Sequence, residues 1–332
     1  MKALFKSQPS LSFVLVTFLI TFLFWFLPVW TELPKDIGLA LMLMGGCGPL
    51  VAGYLITVVN SGSSIKVSSW PLFLIIFMSA FIVLVLRLYL IDHGMNDVNG
   101  KMPALGDVGP VAYILFGITF VILGLNVSNA LNTELKENYI KSFLMSRSKI
   151  KWYIIAIVLL PVMSLVSYFL GKAMGMETTD YVINADANWL VGLFSTFFFF
   201  GGNEEFGWRG FLQKEMQKKY APILVVLVIS ILWSFWHLPL HYNGFYSTGG
   251  FMDLLPRFIF TIPITIVFSW LYNKSAYSVL ALVILHSMLN NNGKLFGASN
   301  QVFLILVIAL CIYCIIDDKM WKKKAYHQIY EA

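Results

Sequence analysis

Residues 11–28 read LSFVLVTFLITFLFWFLP, without a single charge, and the class of the fold turns on whether this run is cleaved off or kept. It follows Lys2 and Lys6, as the apolar centre of a signal peptide would. It is nevertheless long and aromatic, and FLPVWTELP (26–34) at its end offers no small-residue cleavage site. The run therefore reads as a retained first helix, because about 20 apolar residues of helix cross a bilayer.

Nine further runs of this kind follow, at roughly 38–59, 71–91, 109–130, 151–172, 189–213, 221–240, 254–272, 276–292 and 300–316. Of the 332 residues 58% are hydrophobic and 12% charged, with a mean hydropathy of +0.77, whereas soluble domains carry about 25% charged residues. The expected fold is an all-α polytopic integral membrane protein with about 8–10 transmembrane helices.

Ten passes starting inside predict alternating connections, and the basic residues agree. Lys136, Lys141, Arg147, Lys149 and Lys151 fall in one inside connection, Lys214, Lys218 and Lys219 in the next, and Lys319, Lys322, Lys323 and Lys324 in the tail. The other connections hold few basic residues, such as Lys101 and Lys294, and include the acidic stretches IDHGMNDVNG (91–100) and METTDYVINADAN (176–188). By the positive-inside rule both termini are cytoplasmic, in a multi-pass protein of the cell membrane, a bacterial plasma membrane by expectation. The net charge of +6 then follows from topology and attraction to anionic lipid. No basic-aromatic module for nucleic acid is visible.

The chain shows no internal repeat and no soluble domain. It divides into N-terminal helices with a cytoplasmic linker (1–150), a helical core with several intramembrane charges (151–316), and a basic tail (317–332). The front half reads as free of intramembrane charge. Cys47, Cys311 and Cys314 lie in apolar runs, so CIYC (311–314) reads as helix packing despite its redox-like spacing.

The stretch FFFFGGNEEFGWRGFLQKE (197–215) places Glu204, Glu205 and Arg209 in an apolar run, and an ionisable group in hydrocarbon costs about 2.5–3.5 kcal/mol on insertion scales. If the helix beginning near Trp189 continues past Gly202, Glu205 and Arg209 share a face and pair. Glu204 is rotated by about 100° and needs another neighbour. The bland alternative ends the helix at Gly201–Gly202 and leaves the charges in a cytoplasmic loop.

Two histidines shift that balance: His237 in ILWSFWHLPLH and His286 in LVILHSMLNNN both lie deep in apolar runs. With a turn near KKYAP (218–222), Glu204 and His237 fall at one depth on antiparallel helices. His286 and Asn290 share a face four residues apart. Carboxylate, imidazole, carboxamide and an arginine-held second carboxylate from three segments suit amide hydrolysis, with Glu and His activating water and polar donors holding the oxyanion. A divalent metal such as zinc, held by Glu204, His237 and His286, would serve equally. His241 would extend an H-x-x-x-H face, but Pro239 ends the helix first. H-E-x-x-H is absent, no paired aspartates occupy neighbouring runs, and GASN (297–300) lacks the second glycine of G-x-S-x-G.

EEFGWR (204–209) fits E-E-x-x-x-R, WSFWH (233–237) fits F-x-x-x-H with Trp233 in the phenylalanine place, and HSMLN (286–290) fits H-x-x-x-N. Over roughly residues 150–316 the chain resembles the CPBP intramembrane proteases, also called the CAAX protease and bacteriocin-processing or Abi family, and its bacterial members in particular. The resemblance implies a catalytic site inside the helical bundle: Glu204 and His237 activating water, Glu205 and Arg209 as support, and His286 with Asn290 facing the oxyanion or a metal. The implied substrate is a membrane-embedded or lipid-associated peptide. Two other classes compete: a non-enzymatic immunity or regulatory protein that binds a peptide in the membrane, and a proton-coupled transporter, against which the lack of symmetric interrupted helices counts.

Overall fold

The computed structural model describes residues 2–95, 100–135, 149–178, 186–246, 249–292 and 300–323, and among them there is no strand. Lys136, Lys141, Arg147, Lys294, Ser299 and Lys324, with all of the tail beyond 323, lie outside the described residues.

A short α1 (Lys2–Ser7) leads into α2 (Pro9–Trp30). Next come α3 (Lys35–Gly46) and α4 (Gly48–Ser61), a pair bent by 42°. Helices α5 (Trp70–Asp92), α6 (Pro110–Ser128) and α7 (Ile150–Ala173) follow. The second half holds α8 (Ala187–Phe198), α9 (Pro222–Trp236), α10 (Leu254–Lys274), α11 (Val279–Asn291) and α12 (Asn300–Asp317). Proline stands in the first turn of α2, α5, α6 and α9, where its missing N–H costs nothing. Asp186 and Ser278 cap α8 and α11 through their side chains.

The protein is an all-α, multi-pass membrane protein. Every expected run is helical, but six helices alone among the described residues are both long and apolar enough to cross a bilayer, seven if the bent α3–α4 pair is one crossing. Helices α11 and α12 are shorter, and the run at 189–213 is broken, because α8 stops at Phe198.

The passes alternate between two faces. On one, Asn60 donates to the Phe5 carbonyl (3.2 Å), Asn129 to the Lys66 carbonyl (2.9 Å), and Ile223 N–H to the Met320 carbonyl (3.0 Å), joining α1, the α4–α5 connection, the end of α6, the start of α9 and the end of α12. On the other, Gly109 N–H donates to Asp36 (2.9 Å), Asn243 to the Trp25 carbonyl (3.3 Å) and Trp189 to the Asn291 carbonyl (3.3 Å). These bonds join the far ends of α2, α3, α6, α8, α9 and α11.

Where α3 breaks, its carbonyls must find donors inside the protein, since lipid offers none. Trp25 Nε1 donates to Met42 O (2.8 Å), Thr21 Oγ1 to Gly45 O (2.8 Å) and Asn203 Nδ2 to Gly46 O (3.0 Å). Trp236 Nε1 donates in turn to Thr21 Oγ1 (2.7 Å). The front helices are thereby fastened to the charged segment of the second half. Cys311 and Cys314 are buried and unbridged in α12, in keeping with packing.

Candidate active site

The helix that starts near Trp189 does not run through the charged motif. Gly201 has φ +141°, a conformation open to glycine and strained for any other residue, and a Cβ there would stand 2.5 Å from His286 Nε2. The chain turns against that imidazole and resumes as a single 3-10 turn (Gly202–Glu204), an α turn (Glu205–Gly207), a π turn (Trp208–Gln213) and a last α turn (Lys214–Gln217). Gly207 lets the segment press on α4, since a Cβ there would lie 2.4 Å from the Pro49 carbonyl oxygen. The break falls where the bland alternative put it, yet the charges are interior: Glu204 is 7% exposed, Glu205 and Arg209 0%. Gly201→Ala is expected to displace His286 and lower stability by about 1–3 kcal/mol, read as a fall in Tm in detergent; an unchanged Tm would mean the turn yields freely.

Glu205 and Arg209 pair as their spacing predicts, with Arg209 Nη1 donating to Glu205 Oε1 at 2.9 Å. His286 Nδ1 stands 2.7 Å from the same oxygen. A carboxylate only accepts, so Nδ1 carries the proton. The guanidinium lies between aromatic faces, 4.4 Å from the Trp233 ring centre and 4.9 Å from that of Phe268.

Glu204 faces a different neighbour, as its rotation away from Glu205 requires. Trp233 Nε1 donates to Glu204 Oε2 at 2.7 Å, a bond that phenylalanine in the same place could not make. His237 follows α9 at the break before Pro239; its Nδ1 lies 2.6 Å from the Trp233 carbonyl. That carbonyl fixes the proton on Nδ1 and leaves the Nε2 lone pair to accept. Trp233 thus holds the carboxylate by its side chain and the imidazole by its backbone.

Glu204, His237 and Asn290 line one cavity of about 240 Å³ with Trp25, Arg87 and Tyr246. Asn290 Nδ2 donates to the Phe200 carbonyl at 2.8 Å, while His286 turns to Glu205, so the expected His286–Asn290 pair serves two different partners. His241 points elsewhere, its Nδ1 3.7 Å from Asp253 Oδ2. Arg87 corrects the expectation of a front half free of intramembrane charge. It lies near the end of α5, where a charge reads as interfacial, but is 5% exposed, donating to Met102 Sδ (3.2 Å) and standing 5.1 Å from the Phe200 ring centre. Sequence reasoning also passed over Asn203, whose signal was a carboxamide directly before Glu204 in an apolar run.

The donor set fits a metal only in part. Both imidazoles give Nδ1 to an acceptor, as metal-ligating histidines do. Among the described residues, however, no three His, Cys, Asp or Glu side chains are placed to share an ion.

Residues 186–291 match the family described as type II CAAX prenyl endopeptidase Rce1-like, a segment that contains all three motifs. The chain is also similar to the CAAX prenyl protease 2 of Methanococcus maripaludis, with 24% identity covering 62% of this chain and 80% of that protein. That relative is archaeal, so it does not bear on the expected bacterial type. Both comparisons support an intramembrane protease. The resemblance read from three short motifs holds over residues 186–291, which are similar to the Rce1-like CAAX prenyl endopeptidase family.

Proposed function

We propose that this chain is an intramembrane endopeptidase that hydrolyses a peptide bond of a membrane-associated, lipid-embedded or lipid-modified peptide. The observation that carries this reading is the convergence of the Glu204 carboxylate and the His237 imidazole, from separate segments, on one buried cavity. Water between them gives a proton to the base pair and its oxygen to the scissile carbonyl carbon. The proton then passes to the amine as the C–N bond breaks. Asn290 and the Phe200–Gly201 turn that it holds flank the place where the oxyanion forms. Glu205, Arg209 and His286 act as support, keeping the motif segment against α11.

Hydrolysis in H₂¹⁸O is the direct test. Purified protein in lipid vesicles, given lipidated or membrane-spanning peptides, should release a fragment whose new carboxylate carries one ¹⁸O atom. Absence of any cleaved peptide, or equal cleavage by Glu204→Gln protein, would sink the reading.

Trp233→Phe restores the family's residue and removes the indole N–H. A hydrogen bond to a charged group contributes about 1.5–3 kcal/mol, so kcat should fall about tenfold or more with KM nearly unchanged. An unchanged kcat would reduce Trp233 to a space-filler.

A further inference from the structure

The two faces of the bundle differ in charge and in access to the cavity. Lys6, Lys66, Lys151, Lys214, Lys218 and Lys322 lie on the face joined by Asn60, Asn129 and Ile223. Asp36, Asp92, Asp107, Glu177, Asp186 and Asp253 lie at the opposite ends of the same helices.

The cavity belongs to the acidic face. Trp25 stands near the end of α2, Arg87 near the end of α5, His237 just past α9 and Asn290 near the end of α11, and all four ends lie on that side. Its rim reaches the surface there, where Tyr246 is 42% exposed. Toward the basic face, Trp208, Arg209, Leu212 and Gln213 are fully buried, and none of them lines the cavity.

Basic connections stay in the cytoplasm. We propose that the cavity opens away from the cytoplasm, so that its substrate is a peptide segment presented at the outer leaflet or just beyond it. A scissile bond displayed on the cytoplasmic leaflet would meet the closed, basic end. The word substrate rests on the peptidase reading above; the direction of opening rests on the charges and the cavity alone.

Labelling of intact cells by a membrane-impermeant thiol reagent tests the direction without any activity. Tyr246→Cys at the rim and Glu32→Cys in the exposed α2–α3 connection should be labelled, and Lys66→Cys only after permeabilisation. Glu32 lies away from the cavity lining, so it reports the face even if the rim variant fails to fold. Labelling of Lys66→Cys in intact cells, with Glu32→Cys protected, would overturn the proposal.

A second arm uses two single-span reporters carrying the same peptide outside or inside the membrane. Cleavage of the outer reporter alone is expected, and preference for the inner one would overturn the proposal. If neither is cut while Glu32→Cys is labelled from outside, the peptidase reading fails and the direction of opening stands.

Discussion

Glu204→Gln should leave the protein folded and lower peptide hydrolysis by about 10²–10⁴-fold, the contribution of a positioned general base. Glutamine keeps the volume, and its amide oxygen can still accept the Trp233 N–H that now reaches Glu204 Oε2 at 2.7 Å. What it loses is the ability to take a proton. His237→Ala should cost a similar factor, because Nδ1 is occupied by the Trp233 carbonyl at 2.6 Å and Nε2 alone is left as an acceptor. Since both groups serve one proton transfer, the double variant should fall little below either single one. Single-turnover cleavage by purified variants, with thermal unfolding as the control for folding, decides the matter. More than a tenth of the parent rate in either well-folded variant would remove it from the mechanism.

The parts of this site that were legible in the sequence are those fixed by spacing along one segment. Glu205 and Arg209 are four residues apart, and a single turn brings them together whether it is α or slightly wider, so their pairing survived the π turn at Trp208–Gln213. Apolar run length likewise marked the helices from α2 to α12, although the run at 38–59 holds both α3 and α4. Relations across segments were less legible. Spacing left open whether the helix runs on through Gly202 or ends there, and Gly201 adopts φ +141° where His286 of α11 leaves no room for a Cβ. His286 and Asn290 share a helix face by spacing, yet one turns to Glu205 and the other to the Phe200 carbonyl, because partner choice is set by neighbouring segments. Trp233 read as an aromatic stand-in for phenylalanine; its N–H matters because Glu204 happens to lie opposite. Arg87 was hidden for the same reason, being buried by Met102 and Phe200 from distant parts of the chain.

Removing one member of the Glu205–Arg209 pair should destabilise the protein by about 3–5 kcal/mol, the usual consequence of leaving a buried charge without its partner. Both side chains are 0% exposed. In Glu205→Gln the guanidinium keeps a neutral amide oxygen and the Trp233 and Phe268 ring faces, whose attraction is about 2 kcal/mol at desolvated sites, and these do not replace a carboxylate. In Arg209→Met the carboxylate keeps only the His286 imidazole as a hydrogen-bond partner. The double variant Glu205→Gln/Arg209→Met removes both charges at similar volume, and neutral replacements of buried pairs are often tolerated. Its stability should therefore return most of the way to the parent, giving a coupling free energy well above the few tenths of a kcal/mol seen for independent sites. Thermal unfolding of the four proteins in one detergent measures that cycle. A double variant no more stable than the worse single one would show that Glu205 is held in place for His286, whose Nδ1 lies 2.7 Å from the shared oxygen, and not for the arginine.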